Sequence, residues 1–559
     1  MHPAVHCFLR QRNLAWADRT GPDAGVVAQR AFAPGTVLFE SPPIAYFTHV
    51  DPTPCCLHCY STNPGLRACS RCQAAVFCGP VCRRASSVHG ATGFCAPPPS
   101  GGPSNLTLSP DTKMLGLVLG RLQAVWEAGL AAKVPAVLDA LTDEAGWDDG
   151  LITEVERSVL VFLSLLSHVD KMTPSDLAAL GDTAAKARQA VPACRFLTDP
   201  TFQRLASRLN RDPDTANGTG LFPSVDFPNR FLLQCLGRFT SNNFALHDDQ
   251  LFPLGDGTYP LGALLNHSCR PNCVVMYGPG GLMVVRALVP ILPGEELTGT
   301  YVDNITPYAQ RRTQLAHKYH FICGCIRCNR PAVSEGPSTG LRGTDAVGDW
   351  TAVDRILDAK RTDASLGNFQ NQLAAACRAA EARRPVAGAA GSGLPLLLSA
   401  TQPLLYHLAG LPDSGQYQAL LSAFIEQLLP STNSHAGTGS AQGLSPPFNL
   451  AYFKCAAQMQ ERLSQAGQWA AAAVCGRVTL VGYLLAYPPN HPLLTLHCFT
   501  VAKLLWNGDP GRAELDLART LMTVAVAGLR VTHPPGTPVG EDAAQLARFL
   551  QVAGGGLLV

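Results

Sequence analysis

Cysteines at metal-ligand spacing are the most distinctive chemical groups in this chain. Eight soft ligands lie close together as three cysteine pairs followed by a histidine and one more cysteine: Cys56 and Cys59, Cys69 and Cys72, Cys78 and Cys82, then His89 and Cys95. Thiolate and imidazole suit Zn²⁺, and a segment this short has little core of its own. The ligands therefore predict two tetrahedral zinc sites, with Cys55 as an alternative first ligand.

A second group of motifs lies between Gly262 and Cys328. The three motifs, in order, are Asn266-His267-Ser268-Cys269-Arg270-Pro271-Asn272, Gly294-Glu295-Glu296-Leu297-Thr298-Gly299-Thr300-Tyr301 and Cys323-Gly324-Cys325-Ile326-Arg327-Cys328. The last motif places three thiolates close together, which is typical of a metal site. No fourth ligand follows nearby, so it must come from elsewhere in the chain.

The order of these motifs resembles the catalytic half of SET-domain protein methyltransferases, and the first cysteine cluster resembles a MYND finger. Arg270 departs from the acidic residue often seen at its position. The chain is thus similar to the SET-and-MYND family. The resemblance implies a protein-lysine methyltransferase that uses S-adenosylmethionine and acts on a histone or another protein. It also implies an α+β fold, with a split β-rich SET domain, an inserted zinc finger, a helical insert and an all-α C-terminal domain.

The same resemblance assigns roles to single residues. Tyr301 is the implied catalytic residue, and Phe244 and Tyr319 would wall the channel for the lysine side chain. The residues implied in cofactor binding are Ala24, Gly25, His168, Asn242, Asn266, His267 and Phe321. Phe321 would stack on the adenine, and the backbone around His267 would contact it.

The resemblance also implies how the metal ligands are shared among about three zinc ions. In the MYND family the ligands interleave. The implied sets are Cys56, Cys59, Cys78 and Cys82 for the first ion, Cys69, Cys72, His89 and Cys95 for the second, and Cys269, Cys323, Cys325 and Cys328 for the third. The spacing of His89 and Cys95, and the lack of a tryptophan before His89, depart from the family pattern.

Several of these residues have a second interpretation. His168 is equally explained as a structural histidine at a helix end. A general base is the minor alternative for His267, because the family uses this residue structurally, and a core residue would be the default for Tyr301 without the surrounding motifs. The turn from Gly21 to Gly25 also differs from the family's glycine-rich turn, although Gly25 is kept. A MYND and helical-repeat adaptor with a weak or inactive SET fold is therefore the alternative to the enzyme.

Apolar patterns predict the elements that position these residues. Val26-Val27 and the run from Thr36 to Phe39 predict strands joined by a tight turn at Pro34-Gly35. Residues 228–240 predict an amphipathic helix, residues 274–285 a strand, turn and strand, and Thr306-Pro307 a helix start. The predicted domains are 1–50 (N-terminal SET lobe), 55–95 (MYND finger), 100–225 (helical insert), 226–305 (core SET domain), 306–330 (post-SET zinc segment) and 340–559 (helical repeats similar to tetratricopeptide repeats).

Composition limits the functions that the chain can have. The 43 basic and 41 acidic side chains leave a formal charge of +2, which argues against a protein that coats nucleic acid. The finger carries no acidic residue and four arginines, which are Arg67, Arg71, Arg83 and Arg84. A solvated face is the simpler interpretation of this basic surface, and contact with DNA or an acidic partner is the alternative. The N-terminus lacks the apolar core of a signal peptide, and no long apolar window predicts a membrane span.

These features and the resemblance together predict the setting of the protein. Paired cysteines without a signal peptide favour a reducing compartment, so cytoplasm and nucleus are the expected locations. A protein substrate with a target lysine is the implied partner. Other proteins would bind through the finger and the C-terminal helices, and a monomer is expected.

Overall fold

The structure of the protein is a computed structural model. It describes residues 3–17, 24–49, 54–62, 65–73, 75–86, 89, 109–141, 149–190, 194–212, 225–329, 350–357, 363–382, 401–409, 419–421, 423–425 and 449–552. The chain divides into two compact units. The first comprises Met1–Asn266, Val275–Gly299 and His317–Phe321, and the second comprises His267–Val274, Thr300–Ala316 and Ile322–Val559.

The strands of the described residues are short. Their bounds are β1 (Leu14–Ala17), β2 (Gly25–Ala28), β3 (Val37–Ser41), β4 (Ala45–Thr48), β5 (Arg67–Ala68), β6 (Val76–Phe77), β7 (Asn243–His247), β8 (Pro253–Thr258), β9 (Asn266–His267), β10 (Cys273–Gly278), β11 (Leu282–Ala287) and β12 (Thr298–Gly299). They form small sheets in the orders β1-β2, β10-β11-β3, β4-β8-β7 and β5-β6. The predicted strand, turn and strand at 274–285 is confirmed by β10 and β11.

The predicted strands on either side of the turn at Pro34-Gly35 are confirmed by β2 and β3, but these two strands do not pair with each other. Strand β2 pairs antiparallel with β1, where Val27 lies opposite Ala15. Strand β3 pairs antiparallel with β11, where Phe39 lies opposite Val285. The eight residues that separate β2 from β3 exceed the two to five of an ordinary hairpin loop, so a tight turn within them cannot bring the two strands into register.

The first unit also contains helices. Their bounds are α1 (Pro3–Arg10), α2 (Pro80–Ala85), α3 (Pro110–Val125), α4 (Ala131–Ala140), α5 (Glu154–Ser164), α6 (Pro174–Ala190), α7 (Pro200–Leu209) and α8 (Phe227–Asn242). Helix α5 begins with a capping box, in which Thr153 and Glu156 satisfy each other's backbone amides. Helix α8 confirms the helix predicted at 228–240, and Asp226 caps its first turn.

The second unit contains the C-terminal helices. Its helices are α9 (Tyr308–Tyr319, whose last residues belong to the first unit), α10 (Trp350–Leu357), α11 (Asp363–Glu381), α12 (Gln402–Ala409), α13 (Leu450–Gln465), α14 (Trp469–Ala486), α15 (Pro492–Asn507), α16 (Arg512–Thr532) and α17 (Pro538–Val552). Neighbours in sequence pack on each other from α13 to α17. Among the described residues, α14 alone has the length and apolar composition of a membrane span, and 72% of it is buried in the unit, as in a core helix.

The two units together have the predicted α+β composition. All strands of the described residues lie before Thr300, whereas the described part of the chain after Asn329 is helical. The predicted helical insert and C-terminal helical region are therefore present.

Candidate active site and metal centres

Four cysteines in the second unit form the most buried candidate metal site. The sulfurs of Cys269, Cys323, Cys325 and Cys328 all lie within 4.8 Å of one another, and those of Cys269 and Cys328 are 3.5 Å apart. Four sulfurs about 2.3 Å from a tetrahedral zinc ion would be about 3.8 Å apart. The cluster therefore fits Zn²⁺, and it supplies the fourth ligand that the local sequence lacks.

A buried arginine lies against this cluster. Nε of Arg311 donates to Sγ of Cys269 at 3.2 Å, and Nη1 donates to Oδ1 of Asp354 at 2.9 Å. Arg311 is fully buried and Asp354 is 2% exposed. Four thiolates around Zn²⁺ carry a net charge of −2, so a guanidinium at this position stabilises the charged cluster.

His267 connects the cluster to the segment that carries Tyr301. Nδ1 of His267 accepts the backbone N–H of Tyr301 at 3.0 Å, and Nε2 lies 3.2 Å from Sγ of Cys269. The accepted bond requires the tautomer with its proton on Nε2, which then donates to the sulfur. Burial lowers the pKa of His267 to about 4. The neutral ring has no lone pair left for a general base, and this geometry favours the structural interpretation.

Tyr301 is half-buried, and its ring is held beside that of His267. The two ring centroids are 5.3 Å apart and the rings are tilted by 43°. The hydrogen bond to His267 uses the backbone amide of Tyr301, so it does not depend on the phenol hydroxyl. The hydroxyl can therefore be removed without loss of the contact that fixes the backbone.

The side chain of Asn266 binds the backbone at the start of strand β2, in the first unit. Its Nδ2 donates to the carbonyl of Ala24 at 2.8 Å and to Oε1 of Glu296 at 2.7 Å. A Cβ added at Gly25 would lie 2.3 Å from that same Glu296 oxygen and 2.8 Å from Nδ2 of Asn266. A side chain at position 25 would therefore displace the Glu296 carboxylate or the Asn266 amide. Both amide hydrogens of Asn266 are committed, so its oxygen is the atom that remains to receive a ligand.

His168 and Asn242 lie around the end of α8, also in the first unit. The Nδ2 atom of Asn242 donates to the carbonyls of Leu166 and Arg238, at 3.3 and 3.0 Å, which again leaves the amide oxygen for a ligand. The His168 ring lies 5.0 Å from that of His320, and both residues have positive φ angles. Burial lowers the pKa of His168 to about 4, so the ring is neutral at pH 7.

The three predicted aromatic residues also belong to the first unit. Phe244 lies on β7, and its ring meets that of Tyr259 edge-on at 5.9 Å. Tyr319 and Phe321 belong to the short segment His317–Phe321, which Ser241 ties to the end of α8 by a 3.1 Å bond to the carbonyl of Lys318. All three rings are half-buried. They keep apolar surface available for a ligand.

The finger contains two further ligand groups. Cys56, Cys59, Cys78 and Cys82 form one set and Cys69, Cys72 and His89 another, each with its ligand atoms within 4.8 Å of one another. Cys55 is not part of either set, so the alternative first ligand is not supported. Backbone amides at Cys59 and Cys78 lower the pKa of Cys56 to about 7 against the opposing effect of burial, which favours the thiolate that zinc needs. Cys95 lies outside the described residues.

Metal analysis checks the three ligand sets. We expect about three zinc ions per chain in protein never exposed to chelator. Replacing Cys72 by Ser should lower the count by about one, whereas Cys55→Ser, at a neighbouring buried thiol outside the sets, should leave it unchanged. A count of one or fewer for the wild type would contradict the assignment. A count of two would indicate that the set containing His89 does not bind zinc.

Four residues of these sites were not predicted as site residues. They are Glu296, Arg311, His320 and Asp354. Glu296 lies within the second motif and His320 lies between the predicted residues Tyr319 and Phe321, so their sequence positions were an available signal. Arg311 and Asp354 belong to none of the sequence motifs, because only the folded chain brings a helix carboxylate to the arginine at the metal cluster.

Comparison with known proteins agrees with this arrangement. A family model described as SET domain matches residues 23–302, half of the chain, and the chain therefore belongs to the SET-domain family. Its relatives are of the SET-and-MYND type. It is 25% identical over 355 residues to the N-lysine methyltransferase SMYD2-B of Danio rerio, covering 63% of this chain and 67% of the relative.

Two human proteins are similar to the same extent. The chain is 28% identical over 342 residues to the histone-lysine N-methyltransferase SMYD3, covering 60% of this chain and 64% of that protein. It is 27% identical over 317 residues to the N-lysine methyltransferase SMYD2, covering 55% and 58%. The aligned part thus spans between 58% and 67% of the length of these three relatives.

Proposed function

We propose that this protein transfers a methyl group from S-adenosylmethionine to a lysine side chain of another protein. The observation that carries the proposal is the pair of consecutive residues Asn266 and His267. The Asn266 amide fixes the strand at Gly25, and the His267 ring fixes the backbone of Tyr301. The names of the relatives, which include both N-lysine and histone-lysine methyltransferases, support lysine as the acceptor.

The amide oxygens of Asn242 and Asn266 are the proposed contacts to the cofactor. Each amide has committed its hydrogens to acceptors within the protein, so each oxygen can accept a hydrogen bond from the ammonium or amine groups of S-adenosylmethionine. Gly25 would let the backbone approach the cofactor, because a side chain there would displace the Glu296 carboxylate or the Asn266 amide. Phe321 would contribute a ring face for the adenine. The altered turn before Gly25 keeps this glycine.

Tyr301 is the proposed catalytic residue. When bound, S-adenosylmethionine supplies an electrophilic methyl group for an in-line displacement, and a neutral lysine amine must lie opposite it. The tyrosine hydroxyl oxygen would orient that amine and accept weak contacts from the electron-poor methyl group. Phe244 and Tyr319 would surround the lysine stem and exclude water. His267 would keep Tyr301 in place without accepting a proton.

Zinc is proposed as a structural component of this protein. Each ligand set that the structure describes completely has four protein ligands, which leaves no open coordination position for a reacting group. The cytoplasmic and nuclear location, the monomeric state and the binding of partner proteins by the finger and the C-terminal helices remain predictions. If cofactor binding or methyl transfer is absent, we would conclude that the protein is an adaptor without enzymatic activity.

Calorimetric binding of S-adenosylmethionine tests the cofactor part of the proposal. Asn266→Ala should weaken binding by about 10- to 150-fold, because a hydrogen bond to a charged ligand contributes ~1.5 to 3 kcal/mol. Asn368→Ala, at an exposed asparagine on α11, is the matched control and should bind as the wild type does. Equal affinity of the wild type and the Asn266 variant would place the cofactor elsewhere. Transfer of labelled methyl to lysine tests the reaction itself.

A further inference from the structure

The segment that follows Tyr301 is held by residues of the C-terminal helical region. We infer that Tyr487 and Asp354, which both lie beyond the matched SET domain, are positioning residues for Tyr301. The inference rests on the proposed function, since it concerns the placement of the proposed catalytic hydroxyl. Every residue in the argument belongs to the second unit, so each contact lies within one compact body.

The first anchor is the phenol of Tyr487. Its hydroxyl donates to Oδ1 of Asp303, two residues after Tyr301, and Tyr487 is 4% exposed. Burial and then the charge of Asp303 raise the pKa of Tyr487, so the hydroxyl stays a donor. Tyr487 is itself fixed, because its ring stacks on His491 with centroids 4.5 Å apart. The same Asp303 oxygen accepts the N–H of Ile305 at 3.1 Å and so orders the turn.

The second anchor is the carboxylate of Asp354 on α10. It pairs with two buried arginines, at 2.9 Å from Nη1 of Arg311 and 3.0 Å from Nη2 of Arg327. Burial opposes ionisation of Asp354, but hydrogen bonding from Arg311 and the charges of both arginines outweigh it and lower the pKa of the carboxyl. The carboxylate therefore supplies the charge without which two buried cations would be costly.

Those arginines hold the backbone after Tyr301. Nη1 of Arg327 donates to the carbonyl of Asn304 at 2.7 Å, and Nη1 of Arg311 donates to the carbonyl of Thr306 at 2.6 Å. Within the turn, Oγ1 of Thr300 donates to Oδ1 of Asn304 at 3.0 Å or to the carbonyl of Val302. The turn is thus stabilised by its own hydrogen bond, and the two arginines hold it at the carbonyls of Asn304 and Thr306.

These contacts determine where the Tyr301 hydroxyl can lie. His267 fixes the start of the segment at the Tyr301 amide, and the two anchors fix its end. A displacement of about 1 Å at a reacting group can cost on the order of 10²-fold in rate. Loss of an anchor should therefore slow methyl transfer while the cofactor site, built from residues of the first unit, keeps its contacts.

Removal of one hydroxyl tests the first anchor. Tyr487→Phe keeps the ring and its stacking on His491 but loses the bond to Asp303. We expect single-turnover methyl transfer to fall by about tenfold, with unchanged affinity for S-adenosylmethionine and unchanged zinc content. Tyr483→Phe is the matched control, since that ring lies on the last turn of α14, 5.3 Å from the ring of Tyr487. It should stay within about twofold of the wild type.

A double-mutant cycle assigns the effect to the contact itself. If the hydroxyl acts through Asp303, Tyr487→Phe should slow transfer no further in a chain that already carries Asp303→Ala. Additive losses would overturn the inference, as would wild-type transfer by Tyr487→Phe. A fall that Tyr483→Phe reproduces, together with an equal drop in melting temperature, would show a merely structural role and would also overturn it.

Hydrogen exchange separates this inference from the proposed function. Amides in peptides that cover residues 300–306 should exchange faster in Tyr487→Phe and in Asp354→Asn than in the wild type, and Tyr483→Phe should leave them unchanged. If the wild type transfers no methyl group, the proposed function fails, and faster exchange would still support the two anchors. Unchanged exchange in both variants would contradict the inference whatever the activity.

Discussion

Tyr301→Phe should lower methyl transfer by about 10²-fold or more while the protein remains folded. The change removes one hydroxyl oxygen and keeps the ring. The backbone N–H that binds His267 is unaffected, so the segment should keep its position. Because the hydroxyl is proposed to act on the amine and the methyl group only as they react, the loss should appear in the single-turnover rate rather than in cofactor affinity.

The controls for this variant are a matched tyrosine and a thermal melt. Tyr406 is 52% exposed on α12, so Tyr406→Phe should change neither rate nor stability. The melting temperature of Tyr301→Phe should lie close to that of the wild type. Transfer within a few-fold of the wild type would give Tyr301 a different role, and a large drop in melting temperature would favour the interpretation of a core residue.

Cys325→Ser should remove the zinc ion of the second unit and destabilise that unit. The variant retains three of the four thiolates, and a tetrahedral structural site with a missing ligand binds zinc much more weakly. Without the metal, the charges of the buried Arg311 and of the remaining cysteines would no longer be fully compensated. We expect the zinc content to fall by about one per chain and the melting temperature to fall by roughly 5 °C or more.

Cys455→Ser is the control for that experiment. Cys455 has a similar intermediate exposure in the same unit but belongs to none of the metal-ligand sets found among the described residues. Its substitution should leave zinc content unchanged and stability nearly so. If Cys325→Ser retained the full zinc content and melted as the wild type does, the four cysteines would not be a structural zinc site.

Local patterns were enough to predict the elements that depend on short-range signals. The helix α8 and the strands β10 and β11 follow from periodicity and turn residues. Ligand spacing predicted zinc sites in the finger, whereas the grouping of Cys56 with Cys82 was implied by the resemblance. The fourth ligand, Cys269, is far from Cys323 in the sequence. It was implied only through the resemblance, because spacing carries no information about contacts between distant segments.

Long-range pairing and buried charge were the parts that local patterns missed. The strands β2 and β3 were predicted but their partners β1 and β11 were not, because pairing depends on strands elsewhere in the chain. Arg311 has the sequence context of a solvated helix face, yet it is fully buried, since Asp354 and Cys269 receive its hydrogen bonds. A buried ion pair between segments more than forty residues apart leaves no periodic signal in either one.

The most direct test of the account is the fate of a labelled methyl group. Purified zinc-containing protein is incubated with S-adenosylmethionine labelled on its methyl group and with a pool of cell-extract proteins, and the products are digested and sequenced by mass spectrometry. The account predicts label on the Nε atom of lysine in the wild-type reaction and about 10²-fold less in Tyr301→Phe. Bound cofactor without labelled lysine in any protein of the pool would contradict it and favour an adaptor.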